Sequence, residues 1–235
     1  MLANRLASVV LLNQLPYFFS CSAWKEVGHR NNLLLMAKNA SPSSSASRPV
    51  VPTPEADFDL AALAVPPNLS VEEKLQAIER QIASLPMEVC VVLDAEGEEV
   101  LRLQGSDSSV EFTTQQVGQA QGGYMTHNHP AGTGFSWRDV RTAHHLNLLQ
   151  IRAVSNLEPP VVHVLTRPAG GWATQECEQL CVSEFNRLKT KFGMPGTAPE
   201  DYPAALKRKI NVRLGKFAVT LVNKLHLPYN TVVLS

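Results

Sequence analysis

The sequence predicts an α/β fold, a mixed β-sheet flanked by helices, laid down in one domain over residues 70–235. Two observations lead to it. From residue 70 onward, segments with apolar residues at helical spacing alternate with short β-rich runs. Hydrophobic residues make up 44% of the 235-residue chain, enough for a substantial core.

The elements follow in order. Ser70-Val71-Glu72-Glu73 has capping-box spacing, and Leu75, Ile78, Ile82 and Leu85 then recur on one helical face until Pro86 closes the helix. Glu88–Asp94 is an apolar strand, Ala95–Glu98 a turn and Glu99–Gln104 a returning strand, which predicts a hairpin. Phe112–Ala120 is read as a short helix. Tyr124-Met125-Thr126 forms a brief strand that delivers His127. Ser136–Gln150 is expected to be helical, with Val140, Ala143, Leu146 and Leu149 turned inward. Two strands at Ile151–Val154 and Val161–Thr166, helices at Thr174–Phe192 and Ala204–Leu225, and a last strand at Thr231–Leu234 complete the domain.

Residues 1–69 are read as a leader and a Ser/Pro-rich linker. The stretch 40–69 has few aromatics and too little apolar surface to offset its ordering entropy. Arg5, the apolar run Ala7–Leu12 and Cys21-Ser22-Ala23 form a weak secretory pattern, whereas Asn13, Gln14 and Pro16 interrupt any membrane-spanning helix. A start at Met36 is a second reading of this region. The expected compartment is the cytoplasm, with secretion as the alternative.

Lys plus Arg equals Asp plus Glu at 21 each, so the formal net charge is zero. Nothing global marks the chain for nucleic acid or an anionic membrane, and Lys207-Arg208-Lys209 is too short to change that. The four cysteines, Cys21, Cys90, Cys177 and Cys181, form neither a CxxC pair nor a zinc-ribbon spacing. Cys90 lies in an apolar run, and Cys177 and Cys181 lie one helical turn apart. Ordinary packing is the expectation for all three.

The chemistry concentrates in His127-Asn128-His129-Pro130-Ala131-Gly132-Thr133-Gly134-Phe135-Ser136-Trp137-Arg138-Asp139. Histidines at i and i+2 on an extended backbone project to one side, so both imidazoles can meet one ion. Zinc accepts neutral imidazole nitrogen and a carboxylate as third ligand, which leaves a fourth position for water. Asp139 is the nearest downstream carboxylate, and the short Pro/Gly loop can fold its helix start back onto the histidines. A further carboxylate is needed to take a proton from that water. Glu88 is the best candidate, because a charge at the mouth of an apolar strand has no packing reason to be there. Glu111 is a weaker one. Against the metal reading stands a plain alternative: Ser136-x-x-Asp139 is itself a capping pattern, and Asp suits the start of a helix.

The order Glu88…His127-x-His129-Pro130…Ser136-x-x-Asp139 resembles the JAMM/MPN+ zinc metallopeptidases, nearest to their bacterial, phage-type and RadC-like branch. Pro86-Met87-Glu88 before an apolar strand and Ile151–Val154 after the motif helix extend the resemblance. It implies a deaminase-like architecture, zinc held by His127, His129 and Asp139, and Glu88 as the base that activates water. Ser136 would donate to the developing oxyanion, and the substrate would be a peptide or protein. Nine residues separate His129 from Asp139, one fewer than in most members; Gly132 and Gly134 make the tighter loop feasible. Other functions weighed are a RadC-like DNA-associated role, a toxin or effector module, and a catalytically inactive MPN scaffold.

The remaining histidines and aromatics have plainer expectations. His144 and His145 are read as packing or surface residues of the motif helix, and His163 as a satisfied core histidine. Phe135 and Trp137 are read as packing the motif loop, and Arg138 and Arg141 as a solvated helix face.

Overall fold

The computed structural model describes residues 60–65, 67–106, 109–193 and 204–234. The expected leader, its alternative start and most of the Ser/Pro-rich segment lie outside the described residues. The elements are α1 (Val71–Ile82), β1 (Val89–Leu93), β2 (Glu99–Gln104), α2 (Thr114–Gln119), β3 (Tyr124–His129) and α3 (Trp137–His145), followed by β4 (Gln150–Ser155), β5 (Val161–Thr166), α4 (Thr174–Lys191), α5 (Ala204–Lys224) and β6 (Tyr229–Val233). The strands form one mixed six-stranded sheet in the order β2-β1-β3-β4-β5-β6. Only β3 and β4 run parallel among these neighbours; every other pair is antiparallel.

Period-two alternation divides the core between the two faces of the sheet. Leu75, Ile78 and Ile82 of α1 pack with Val89, Val91, Leu93, Val154, Val162 and Val164. On the opposite face Cys90, Val92, Met125, Ile151 and Ala153 meet Val140 and Ala143 of α3, Cys177 of α4 and Leu221 of α5. All five residues of β1 are buried, as expected of a strand covered on both sides. Cys177 and Cys181 are packed in this core, as expected.

The face under α1 also holds a buried ion pair. Arg152 is 1% exposed and grips Glu79 of α1 with two bonds, Nε at 2.5 Å and Nη2 at 3.0 Å. Thr126 donates to the same carboxylate at 3.1 Å, and Glu72 accepts from Arg152 at 2.8 Å. Burial raises the Glu79 pKa against the pull of Arg152.

Several boundaries differ from expectation, and three of them have a visible cause or consequence. Structure is present from Leu60, ten residues before the expected start at Ser70, because Leu60, Leu63 and Val65 add apolar surface to the α1 cluster. Arg102 ties this segment down by donating to the Leu60 and Leu63 carbonyls. The motif helix stops at His145 rather than Gln150: Asn147 takes a left-handed φ of 47°, which ends the helix, so that Leu148 is buried and Leu149 only half-buried. Strand β3 continues through His129 instead of ending at Thr126. Among the described residues, no helix is long and apolar enough to cross a membrane. The side chains of Lys207, Arg208 and Lys209 lie outside the description.

Candidate metal centre

Strand register assembles the first half of the site. Cys90 of β1 pairs with His127 of β3 at the end of their ladder, and Glu88 stands two residues before Cys90, so it shares that residue's parity. Directly paired residues share a face, and so do residues two apart. Glu88, Cys90, His127 and His129 therefore all point to the α3 side of the sheet. Ligand atoms of Glu88, His127 and His129 lie within 4.8 Å of one another.

Helix α3 supplies the second half. After His129 the chain turns at Gly132, whose φ of 67° is in the left-handed region. It returns so that the first turn of α3 faces the histidines. Asp139 Oδ1 then lies 3.4 Å from His127 Nε2, and Oδ2 lies 3.6 Å from His129 Nε2. The two Nε2 atoms are 3.0 Å apart. A tetrahedral zinc with bonds of about 2.0–2.1 Å has its ligand atoms about 3.3 Å apart. The two nitrogens lie near that spacing, and each faces a different oxygen of the Asp139 carboxylate at a similar distance.

The capping reading and the ligand reading turn out to be compatible. Ser136 is the N-cap of α3, its Oγ accepting from Asp139 N, while Asp139 Oδ2 accepts from Ser136 N at 2.5 Å. The cap aims the carboxylate at the imidazoles. Burial works against ionisation of Asp139. The charge and hydrogen bonding of His127, then the charge of His129 and the Ser136 N–H, outweigh it and hold the carboxyl well below the usual range. The hydroxyl hydrogen of Ser136 is not consumed by the cap. Cys90, beside this acidic pair, is pushed up by burial and then by Glu88 and Asp139, so it stays a thiol.

His129 presents a defined nitrogen to the site. Its Nδ1 lies 3.0 Å from each of the carbonyls of Thr133 and Gly134. The Thr133 hydroxyl is farther, at 3.3 Å, and the two nearer carbonyls only accept, so Nδ1 carries a proton; a ring holding that single proton turns a bare Nε2 towards Asp139 and His127.

Two groups of supporting residues were not anticipated. Asn128, fully buried between the histidines, points to the α1 side. Its Oδ1 accepts from Val89 N at 2.7 Å, and its Nδ2 donates to the carbonyls of Met87 and Leu85 at 3.0 and 3.3 Å. These bonds fix the turn that presents Glu88. The available signal was a polar residue whose parity, opposite to that of the two histidines, turns it to the other face of β3. The second group is Ser155 and His163. Gly134 lies against the His163 ring, where an added Cβ would come within 3.0 Å. Thus Gly132 meets a backbone need and Gly134 a packing one.

The other candidates lie outside the cluster. Glu111 is exposed. His145 Nε2 lies 2.6 Å from Glu178 Oε1, and His144 is buried against Trp172 with ring centres 4.8 Å apart. Arg141, expected on a solvated face, is instead paired through two nitrogens with Glu178 of α4. Arg138 stands 5.7 Å over the Trp137 ring. Phe135 is buried in the core, and Trp137 packs against Leu188 and Ile210, in line with a packing role. His163 is satisfied on both nitrogens, by Tyr229 and Ser155, and burial and then the charge of His129 lower its pKa to about 4.

Comparison of the chain with family models, with curated protein sequences and with solved structures returns no match.

Proposed function

We propose that the chain is a zinc-dependent hydrolase of the JAMM/MPN type that cleaves a peptide or isopeptide bond. One observation carries the reading: the Nε2 atoms of His127 and His129 stand 3.0 Å apart, each faces an Asp139 oxygen at 3.4 or 3.6 Å, and Glu88 groups with the two histidines. Two of these residues come from β3, one from α3 and one from the mouth of β1. A chance HxH has no reason to gather the other two. The layering of a mixed sheet between helices is compatible with the deaminase-like MPN architecture that the motif implies.

His127, His129 and Asp139 would hold the zinc. Bound there, the ion would supply Lewis acidity and make water nucleophilic near neutral pH. Glu88 accepts the proton of the attacking water and returns it to the leaving nitrogen. Ser136, with its hydrogen free of the cap, donates to the carbonyl oxygen as negative charge develops there. The Ser136 backbone N–H holds the Asp139 carboxylate, and the Thr133 and Gly134 carbonyls hold His129. A formal net charge of zero favours a peptide substrate over nucleic acid.

Metal analysis of purified wild type, His129→Ala and Glu88→Gln tests the proposal. Wild type is expected to carry about one zinc per chain. The first variant loses it, the second keeps it, and neither hydrolyses a peptide or isopeptide substrate. Full zinc occupancy and normal activity in His129→Ala would refute the assignment.

A further inference from the structure

A hydrogen-bonded chain leads from the far strands of the sheet to the candidate ligand His129. Its direction follows from which atoms can donate. Ser155 Oγ donates to the Thr133 carbonyl at 2.7 Å, because a carbonyl can only accept. A hydroxyl has one hydrogen, so the contact between Ser155 Oγ and His163 Nε2 at 2.9 Å requires the ring to donate. The other nitrogen of the neutral ring, His163 Nδ1, then accepts from the Tyr229 hydroxyl at 2.8 Å. Every donor thus points the same way, from β6 through β5 and β4 to Thr133 O. That oxygen also receives the His129 Nδ1 hydrogen, which occupies its second lone pair. Ser155 is fully buried, and Gly134 lies flat on the His163 ring. The loop carrying the two carbonyls is therefore held from below by these two side chains.

We infer that Ser155 and His163 are positioning residues for the candidate metal centre: they fix the Thr133 carbonyl where it holds His129 as the Nδ1–H tautomer with Nε2 turned inward. The inference rests on the metal-site reading above. Neither residue touches a reacting atom; both act through the loop between β3 and α3. Partners of this kind typically change metal affinity 10–100-fold on removal.

The test compares Ser155→Ala, His163→Leu and His163→Gln with wild type, after far-UV circular dichroism has confirmed that each is folded. The glutamine amide supplies a donor near the place of Nε2, so it separates hydrogen bonding from packing. Zinc affinity is measured by competition with a chromophoric chelator. The tautomer of His129 is read from its ring nitrogen-15 shifts in metal-free protein, at a pH well above the ordinary histidine pKa of about 6.5. Ser155→Ala and His163→Leu are expected to weaken zinc binding about 10–100-fold and to mix the two tautomers. His163→Gln should stay near wild type in both readouts. Unchanged affinity and an unchanged tautomer in the first two variants would overturn the inference, as would a glutamine variant as impaired as the leucine one. Should Ser155→Ala not fold, the pair at position 163 decides. Wild type that binds no zinc would overturn the metal reading, and the tautomer measurement would still decide this one.

Discussion

Asn128 Oδ1 accepts the backbone N–H of Val89 at 2.7 Å, so the residue between the two histidines is bonded to the residue that follows Glu88. One side chain thereby sets the distance between two candidate functional groups that lie 39 or more positions apart in the chain. Asn128→Ala leaves the Val89 N–H and the Leu85 and Met87 carbonyls without this partner in a buried setting. A loss of about 2–4 kcal/mol is expected in urea unfolding. Because the turn at Glu88 loosens while the histidines stay on β3, peptide hydrolysis should fall more steeply than zinc content. A variant with wild-type stability and activity would show that the bonds to β1 are dispensable.

Arg152 and Glu79 make the second prediction. Both are almost fully buried and bonded through two nitrogens. Arg152→Ala strands a carboxylate whose pKa burial already raises, and it should cost about 3–5 kcal/mol. Replacing both partners, Arg152→Met with Glu79→Leu, should recover most of that loss, because the buried carboxylate is removed together with its partner. Unfolding midpoints of the single and double variants settle it. Equal losses in the two proteins would place the stabilisation elsewhere.

Gly132 is the third. Its φ is 67°, and a Cβ there would sit 3.1 Å from the Asn156 carbonyl and 3.2 Å from the Leu157 side chain. Gly132→Ala is expected to cost about 1–3 kcal/mol through backbone strain and crowding. The strain falls in the loop that brings α3 back to β3, so zinc affinity should drop with it. Chelator competition and thermal unfolding would report both. Retention of wild-type affinity would mean that the loop adapts without moving Asp139.

His144 supplies a pH prediction. Burial, with His145 adding to it, lowers its pKa to about 4 from an ordinary 6.5. Between those values the unfolded chain binds more protons than the folded one. The contribution of His144 is therefore complete above about pH 6.5 and is lost as pH falls towards 4. At about 1.4 kcal/mol per unit the ceiling is about 3 kcal/mol. His144→Phe keeps a ring against Trp172 and should flatten part of that slope in urea titrations across the window. His163 titrates in the same direction, so a residual slope is expected. A slope identical to wild type would remove His144 from the account.

Much of this was legible in the sequence because it is local. Helical spacing marks α1, α4 and α5, and the alternation of apolar runs with turns marks the β1–β2 hairpin. The i, i+2 histidines and the Ser136-x-x-Asp139 pair have one geometry on a strand and a helix start. The unread parts depend on what lies across the sheet. Ser155 and His163 meet only because β4 and β5 pair in one register, with Ala153 opposite His163. Asn128 finds its partners in a turn some forty residues upstream. Leu60 and Leu63 fall at the end of the stretch read as a Ser/Pro-rich linker, and only the position of Arg102 shows why they are held. The early stop of α3 at His145 was hidden because Asn147 gives no periodic signal.

Strand β3 serves two layers by parity: Thr126 and Asn128 face the α1 side, His127 and His129 the α3 side. Chain length is consequently frozen between Tyr124 and His129. Inserting or deleting one residue there would send amide and hydroxyl groups to the α3 face and drive imidazoles against the carboxylate of Glu79. Length variation among descendants of this sequence should be purged from β3.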